Sequence, residues 1–272
     1  MDNQKHEIAR GHWGTVVDLG DGRVAKYFRN DIVPASAQIE AQVAQIAYQM
    51  EVSTPKPLGW FNEDGVNGII FEKINGETLA RLVLERPWKL IWATREMAKI
   101  FVRIHSVPIK GLQTMHVELE ERIDRAVELS ESQKSKALKI LRSLEMGDRL
   151  CHKDYHPGNL MVEGQVCHVI DWGGAVQGPP IADLTHAYVL NKVDGTLEDV
   201  PWVNRFLIQS LRGLYIELFV YFYARFSPDL SYFAIKSGIR RWIIPIAAAR
   251  LASYGDFEKP ALMKILRSHR LL

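Results

Sequence analysis

Apolar and polar positions change their rhythm along this chain, and the changes mark its elements. Gly14–Leu19 is rich in β-forming residues, Asp21-Gly22 follows as a hairpin turn, and Arg23–Phe28 reads as the return strand. From Pro34 to Met50 the spacing becomes helical. Ile39, Val43, Ile46 and Met50 recur on one face, and Pro34 suits a first turn. Pro55 and Pro57 end that pattern. Leu58–Phe61 and Gly68–Phe71 then read as two more strands, separated by the turn Asn62-Glu63-Asp64-Gly65.

Beyond Asn75-Gly76 the pattern is mainly helical, over 77–85, 88–105, 117–144, 203–226 and 232–254. One β-rich interruption lies within it: Leu160–Val162 and Val166–Ile170, joined by Glu163-Gly164-Gln165. A small β-rich part followed by a larger helical one predicts an α+β, two-lobed architecture. The expected boundary falls at Ile74–Gly76, giving an N-lobe over 1–74 and a C-lobe over 75–272.

Composition narrows the function classes. The 272 residues are 47% apolar and 24% charged, with a net charge of +2. These are values of an ordinary globular chain with no global field that invites nucleic acid or an anionic membrane. Two cysteines, Cys151 and Cys167, are too few for a disulfide framework. The opening MDNQKHEIAR carries charge where a signal peptide needs an apolar run. The longest apolar stretch, Gly213–Ala224, includes Glu217 and falls short of the roughly 20 residues of a membrane helix. A reducing cytoplasm is the expected compartment.

The most informative stretch is His152-Lys153-Asp154-Tyr155-His156-Pro157-Gly158-Asn159. It fits H-x-D-x-x-x-x-N, the pattern of a kinase catalytic loop. Twelve residues after Asn159 stands Asp171, directly behind an apolar strand. A loop carboxylate can accept a hydroxyl proton, while an amide oxygen and a second carboxylate are hard ligands that suit Mg²⁺. A hairpin between Asn159 and Asp171 can bring both to one metal.

C-H-K-D-Y-H-P-G-N-L-M-V followed by V-I-D-W-G-G-A-V-Q-G-P-P-I-A-D-L resembles the aminoglycoside phosphotransferase and choline kinase-like family of small-molecule kinases. Val24-Ala25-Lys26, the segment Phe71 to Leu79 and Ile104-His105-Ser106-Val107-Pro108 extend the resemblance over roughly residues 10–190. It implies a protein-kinase-like fold and transfer of the γ-phosphoryl group of ATP or GTP to a small hydroxylated molecule. It implies further that Lys26 meets the nucleotide phosphates with Glu40 as its orienting carboxylate. Gly11, His12, Trp13 and Gly14 would cover the phosphates, and the backbone of Glu72, Lys73 and Ile74 would hold the base. Asp154 would be the catalytic base, with Mg²⁺ on Asn159 and Asp171. Asp183 would brace the catalytic loop or, equally, cap the helix from Leu184. Lys153 departs from the small residue common at its position in that family.

Other constellations carry less. Cys151, His152, His156, Cys167 and His168 lack the spacing of a zinc site. The aromatics of 214–226 and Tyr232-Phe233 fit helix core or a substrate wall. From Pro201 to the end, eleven basic residues face four acidic ones, with thirteen aromatics. That composition suits an amphipathic, aromatic or anionic acceptor better than a polycation. Carboxylates at Asp194, Glu198, Asp199 and over 118–124 keep a polycation open. Antibiotics, whether macrolide-like or aminoglycoside, and metabolites such as nucleosides, sugars and amino alcohols fit the same catalytic parts. Two rivals remain: a nucleotide-binding regulator without turnover, and a protein kinase. The second is disfavoured because Asp171 to Asp183 leaves no room for a long activation loop and its anchor.

Overall fold

Lys26 sits in the middle of a five-stranded antiparallel sheet, and the hairpin turns dictate that position. A computed structural model describes residues 6–11, 14–29, 34–63, 65–193, 202–252 and 256–271. Strands β1 (His6–Arg10), β2 (Gly14–Asp18), β3 (Arg23–Phe28), β4 (Pro57–Glu63) and β5 (Val66–Glu72) form the sheet in the order β1-β2-β3-β5-β4. Lys26 pairs with Val16 on one side and Ile69 on the other. The register has a steric lock at Gly14, where a Cβ would lie 2.0 Å from the Tyr27 carbonyl oxygen. Strand β1 escaped the sequence reading because all five of its residues are exposed and show no apolar alternation.

Helix α1 (Pro34–Gln49) packs with a different face from the one its large apolar residues suggest. Ile39 and Met50 are exposed, while Ala37, Glu40, Val43, Ala44 and Ala47 are buried. The small alanines let the helix approach closely, and the close approach submerges Glu40. Ala37 joins Phe28 and Ile69 in the core under the sheet.

By compactness the chain divides into two units. One unit comprises Met1–Pro87 together with Pro157–Ala175, and the other Trp88–His156 with Val176–Leu272. The N-terminal unit therefore takes in the hairpin β8 (Leu160–Glu163) and β9 (Val166–Val169), which pairs with the short strand β6 (Glu77–Thr78) preceding α2 (Leu79–Glu85). Gly76 permits that pairing: a Cβ there would lie 1.9 Å from the Val162 carbonyl oxygen.

The second unit is helical apart from β7 (Arg149–Cys151) and β10 (Val176–Gly178), an antiparallel pair. Its helices are α3 (Leu90–His105), α4 (Met115–Arg125), α5 (Glu131–Arg142), α6 (Pro180–Val193), α7 (Trp202–Phe226), α8 (Tyr232–Arg250) and α9 (Lys259–Ser268). The single helix expected over 117–144 is two. The chain leaves helical geometry at Ala126, and a capping box of Ser130 and Gln133 starts α5 afresh. Tyr215, Phe219 and Tyr223 of α7 are buried, and Phe101 of α3 stacks on Tyr155 at 4.1 Å between ring centroids. These α7 aromatics are core.

Candidate active site

In the N-terminal unit, β3, α1 and the segment after β9 converge on one ammonium. Lys26 Nζ donates to Glu40 Oε1 at 2.6 Å and to Asp171 Oδ1 at 2.9 Å. The Glu40 side chain is 3% exposed and that of Asp171 29%. Burial works against the charge on Lys26, but the two carboxylates outweigh it and raise the pKa of the amine. Burial, and the like charge of Asp171, push the Glu40 carboxyl up against the pull of Lys26. The three ionised groups sum to one uncompensated negative charge, carried nearest solvent by Asp171.

The β8–β9 hairpin fixes the two expected metal ligands at one end. Asn159 ends a short 3-10 turn directly before β8, and Asp171 follows β9 after one residue. Leu160 pairs with Val169, and the Asn159 carbonyl accepts from the Ile170 N–H at 2.9 Å. Asp171 adopts a left-handed backbone, φ 67°, a conformation that aspartate tolerates better than most residues. Buried bonds hold it there. The Trp172 indole donates to Thr54 Oγ1 at 3.1 Å, and that hydroxyl donates to the Val169 carbonyl at 2.8 Å. The donor set fits Mg²⁺: an amide and a carboxylate, both hard oxygen ligands, beside an excess negative charge.

Gly173 closes this arrangement. A Cβ there would lie 2.9 Å from Glu40 Oε2. Gly173→Ala is expected to destabilise the protein by about 1–3 kcal/mol through overpacking. The cost should shrink when Glu40 is itself truncated to Ala, because the colliding atoms are gone. Equilibrium denaturation of the two singles and the double checks this, and an undiminished cost would reject it.

The expected base-holding segment is only partly available. Glu72 N–H donates to the Lys56 carbonyl and Lys73 N–H to that of Gly22, both at 2.9 Å. The Lys73 ammonium is drawn to Asp18 at 2.5 Å. Ile74 supplies the next backbone donor. Gly11 N–H is bonded to the Gly14 carbonyl at 2.8 Å. His12 and Trp13 lie outside the described residues.

In the second unit, the loop after β7 is held from beneath. His152 N–H donates to Asp183 Oδ2 at 2.6 Å and Lys153 N–H to Asp183 Oδ1 at 2.8 Å. Asp183 is fully buried and stands inside the first turn of α6, where it braces the loop and does not serve as the cap. His105 Nε2 lies 3.1 Å from Asp183 Oδ2, and its Nδ1 lies 2.6 Å from the Tyr223 hydroxyl. The Asp183 carboxylate accepts, so His105 presents its Nε2–H to it. Tyr155 is fully buried and donates to the Met97 carbonyl at 2.7 Å. Asp154, between these anchored residues, keeps a side chain 44% exposed, with His156 Nε2 3.8 Å away. Burial raises its pKa, but nearby His156, with the charges of His152 and Arg250, outweighs it and holds the carboxyl below the usual range.

Two features here were not legible beforehand. One is the clamp from His105 to Asp183. His105 Nε2, Cys151 Sγ and an Asp183 oxygen lie within 4.8 Å of one another, but hydrogen bonds already occupy the imidazole and the carboxylate. Cys151 and Cys167 are free, buried thiols. The other is Lys153. It has φ 65°, its side chain is 8% exposed, and its ammonium lies 2.5 Å from Glu118 Oε1 of α4. Left-handed backbone costs a non-glycine residue about 1–2 kcal/mol. Desolvating each ion of the pair costs several kcal/mol more.

The fold is that of the protein-kinase-like small-molecule kinases. The chain belongs to the phosphotransferase enzyme family, whose model matches residues 7–215. Its fold is similar to a choline/ethanolamine kinase family protein from Mesorhizobium loti, at 13% identity over 98% of this chain and 90% of that one, TM-score 0.66. A thermostable mutant of aminoglycoside phosphotransferase APH(4)-Ia matches at 15% identity over 98% and 94%, TM-score 0.66. The amicoumacin kinase hAmiN, solved with AMP-PNP, Ca²⁺ and Ami, matches at 13% over 99% and 88%, again at 0.66. No curated protein matches the sequence. Among the described residues, no helix is long and apolar enough to cross a membrane.

Proposed function

We propose that this chain is a small-molecule kinase that transfers the γ-phosphoryl group of ATP or GTP to a hydroxyl. The observation that carries this reading is the Lys26–Glu40–Asp171 constellation, an oriented ammonium tied to a carboxylate that faces solvent. Lys26 binds phosphate oxygens while Glu40 keeps it aimed. Asn159 and Asp171 would hold Mg²⁺, which would supply charge neutralisation on the transferring group. Asp154 orients the acceptor hydroxyl and takes its proton. Among nucleobase contacts, the Ile74 N–H is favoured over the engaged amides of Glu72 and Lys73.

Pairing of the available carboxylates favours an acceptor that is not a polycation. Over 118–124, Glu118 is engaged by Lys153 and Arg122, Glu120 by Arg142 and Glu121 by Arg125, while the Asp124 carboxylate makes no ion pair among the described residues. Asp194, Glu198 and Asp199 lie outside the described residues. The basic excess of the C-terminal segment is partly spent as well, with Arg241 on Glu145 and Lys259 on Glu128. An uncharged or amphipathic hydroxyl compound fits both facts.

A labelled-phosphate assay with Mg-ATP and Mg-GTP tests the reading against aminoglycosides, macrolides, nucleosides, sugars and amino alcohols. A labelled small molecule supports it. Nucleotide binding with no product from any acceptor favours a non-catalytic regulator, and label on added protein favours a protein kinase. Lys26→Met should lower kcat/KM for the nucleotide about 10–100-fold, the worth of a lost charge-assisted bond. Unchanged nucleotide kinetics would reject the role of Lys26.

A further inference from the structure

We propose that Lys153 and Glu118 are positioning residues for Asp154, their buried ion pair pinning the catalytic-loop backbone to α4 and so fixing where the Asp154 carboxylate points. The inference rests on the reading of Asp154 as the base. It begins from a contrast in three consecutive residues. Lys153 and Tyr155 are 7% and 0% exposed, yet the Asp154 side chain between them is 44% exposed. Both neighbours are tied to the interior, Tyr155 through its hydroxyl to the Met97 carbonyl of α3, and Lys153 through its ammonium to Glu118 of α4.

The backbone is held on both sides of Asp154. Asp183 holds the amides of His152 and Lys153, and Asn191 Nδ2 donates to the Tyr155 carbonyl at 3.2 Å. The Lys153 side chain adds an attachment in a different direction, toward α4, and its destination is itself fixed. Glu118 is also engaged by Arg122 one turn along α4. That helix is capped by Thr114 and anchored by buried Met115, Leu119 and Ile123.

Stability does not explain the pair. Glycine at 153 would accept φ 65° without strain, and buried Glu118 would still have Arg122 as its partner. A buried ion pair is weak evidence for stability, and its best-attested benefit is fixing one arrangement among several. Here the arrangement fixed is that of the residue next to the base.

The test measures kcat and KM for Mg-ATP in Lys153→Met, Lys153→Gly, Glu118→Gln and Glu118→Gln/Lys153→Met. The acceptor is the best one from the panel, or water if none is found. Misplacing a reacting group by about 1 Å costs roughly 100-fold. Each single variant is therefore expected to lose kcat by about 10–100-fold with KM for Mg-ATP within about twofold of native. The double variant should fall no further than the worse single, since both remove one interaction. Lys153→Gly relieves the strained backbone, so it is the variant to read if Lys153→Met fails to fold. Native kcat in folded Lys153→Gly or Lys153→Met would overturn the proposal. Asp154→Asn run in parallel separates the two failures. If it is inactive while Lys153→Met has native kcat, only the positioning role falls. If it is fully active, the base assignment falls and takes this inference with it.

Discussion

Asp154→Asn is expected to bind Mg-ATP with native affinity and to lose phosphoryl transfer by about 10²–10⁴-fold. The substitution keeps the shape of the side chain and its place between Lys153 and Tyr155, so the loop should hold its path. Lys26, Glu40, Asn159 and Asp171, the proposed nucleotide and metal ligands, are untouched. What disappears is the acceptor of the hydroxyl proton. The asparagine oxygen can still receive a hydrogen bond, but it cannot take the proton as the new O–P bond forms. The loss should therefore appear in kcat, with KM for the nucleotide unchanged. A fully active Asp154→Asn would remove Asp154 from the chemistry. A variant that loses nucleotide affinity as much as turnover would make it a binding residue instead.

Much of this site is legible in sequence because its chemistry lies in short, ordered strings. The run from His152 to Asn159, the hairpin spacing to Asp171, and a lysine on the third strand can each be read from neighbours along the chain. Glu40 is legible for a different reason, since it shares a helical face with Ala37, Ala44 and Ala47 and small residues mark close approach. The same helix shows the limit. Ile39 and Met50 look like core and are exposed, because hydrophobicity alone does not say which face the tertiary structure selects. The break between α4 and α5 was readable in the Ser130–Gln133 capping pattern but hidden by an unbroken helical composition. Other features have no local signal. That Lys153 pairs with Glu118, or that His105 reaches Asp183, depends on segments 35 and 78 residues apart meeting in space. By compactness, a β8–β9 hairpin far along the chain groups with the N-terminal unit, which no local signal announces.

Asp183→Ala is expected to destabilise the protein by about 3–5 kcal/mol, the cost of breaking a buried charged network by removing one partner. The carboxylate has no exposure and faces three donors: the amides of His152 and Lys153 and the His105 imidazole. Removing it leaves all three buried with no acceptor, and no water-accessible surface can replace it. For a protein of this size, each kcal/mol moves the melting temperature by about 2–4 °C, so a fall of roughly 6–20 °C should follow. Asp183→Asn is the sharper test because it preserves volume. One position of its amide must hold an NH₂ group, and every partner of the carboxylate is a donor. Whichever way the amide turns, it sets donor against donor, so most of the loss should remain. Thermal and denaturant unfolding of the two variants checks this. A stable Asp183→Asn would mean that the three donors do not need a second acceptor oxygen. A destabilised one would mean that this carboxylate sets the path of the chain into Asp154.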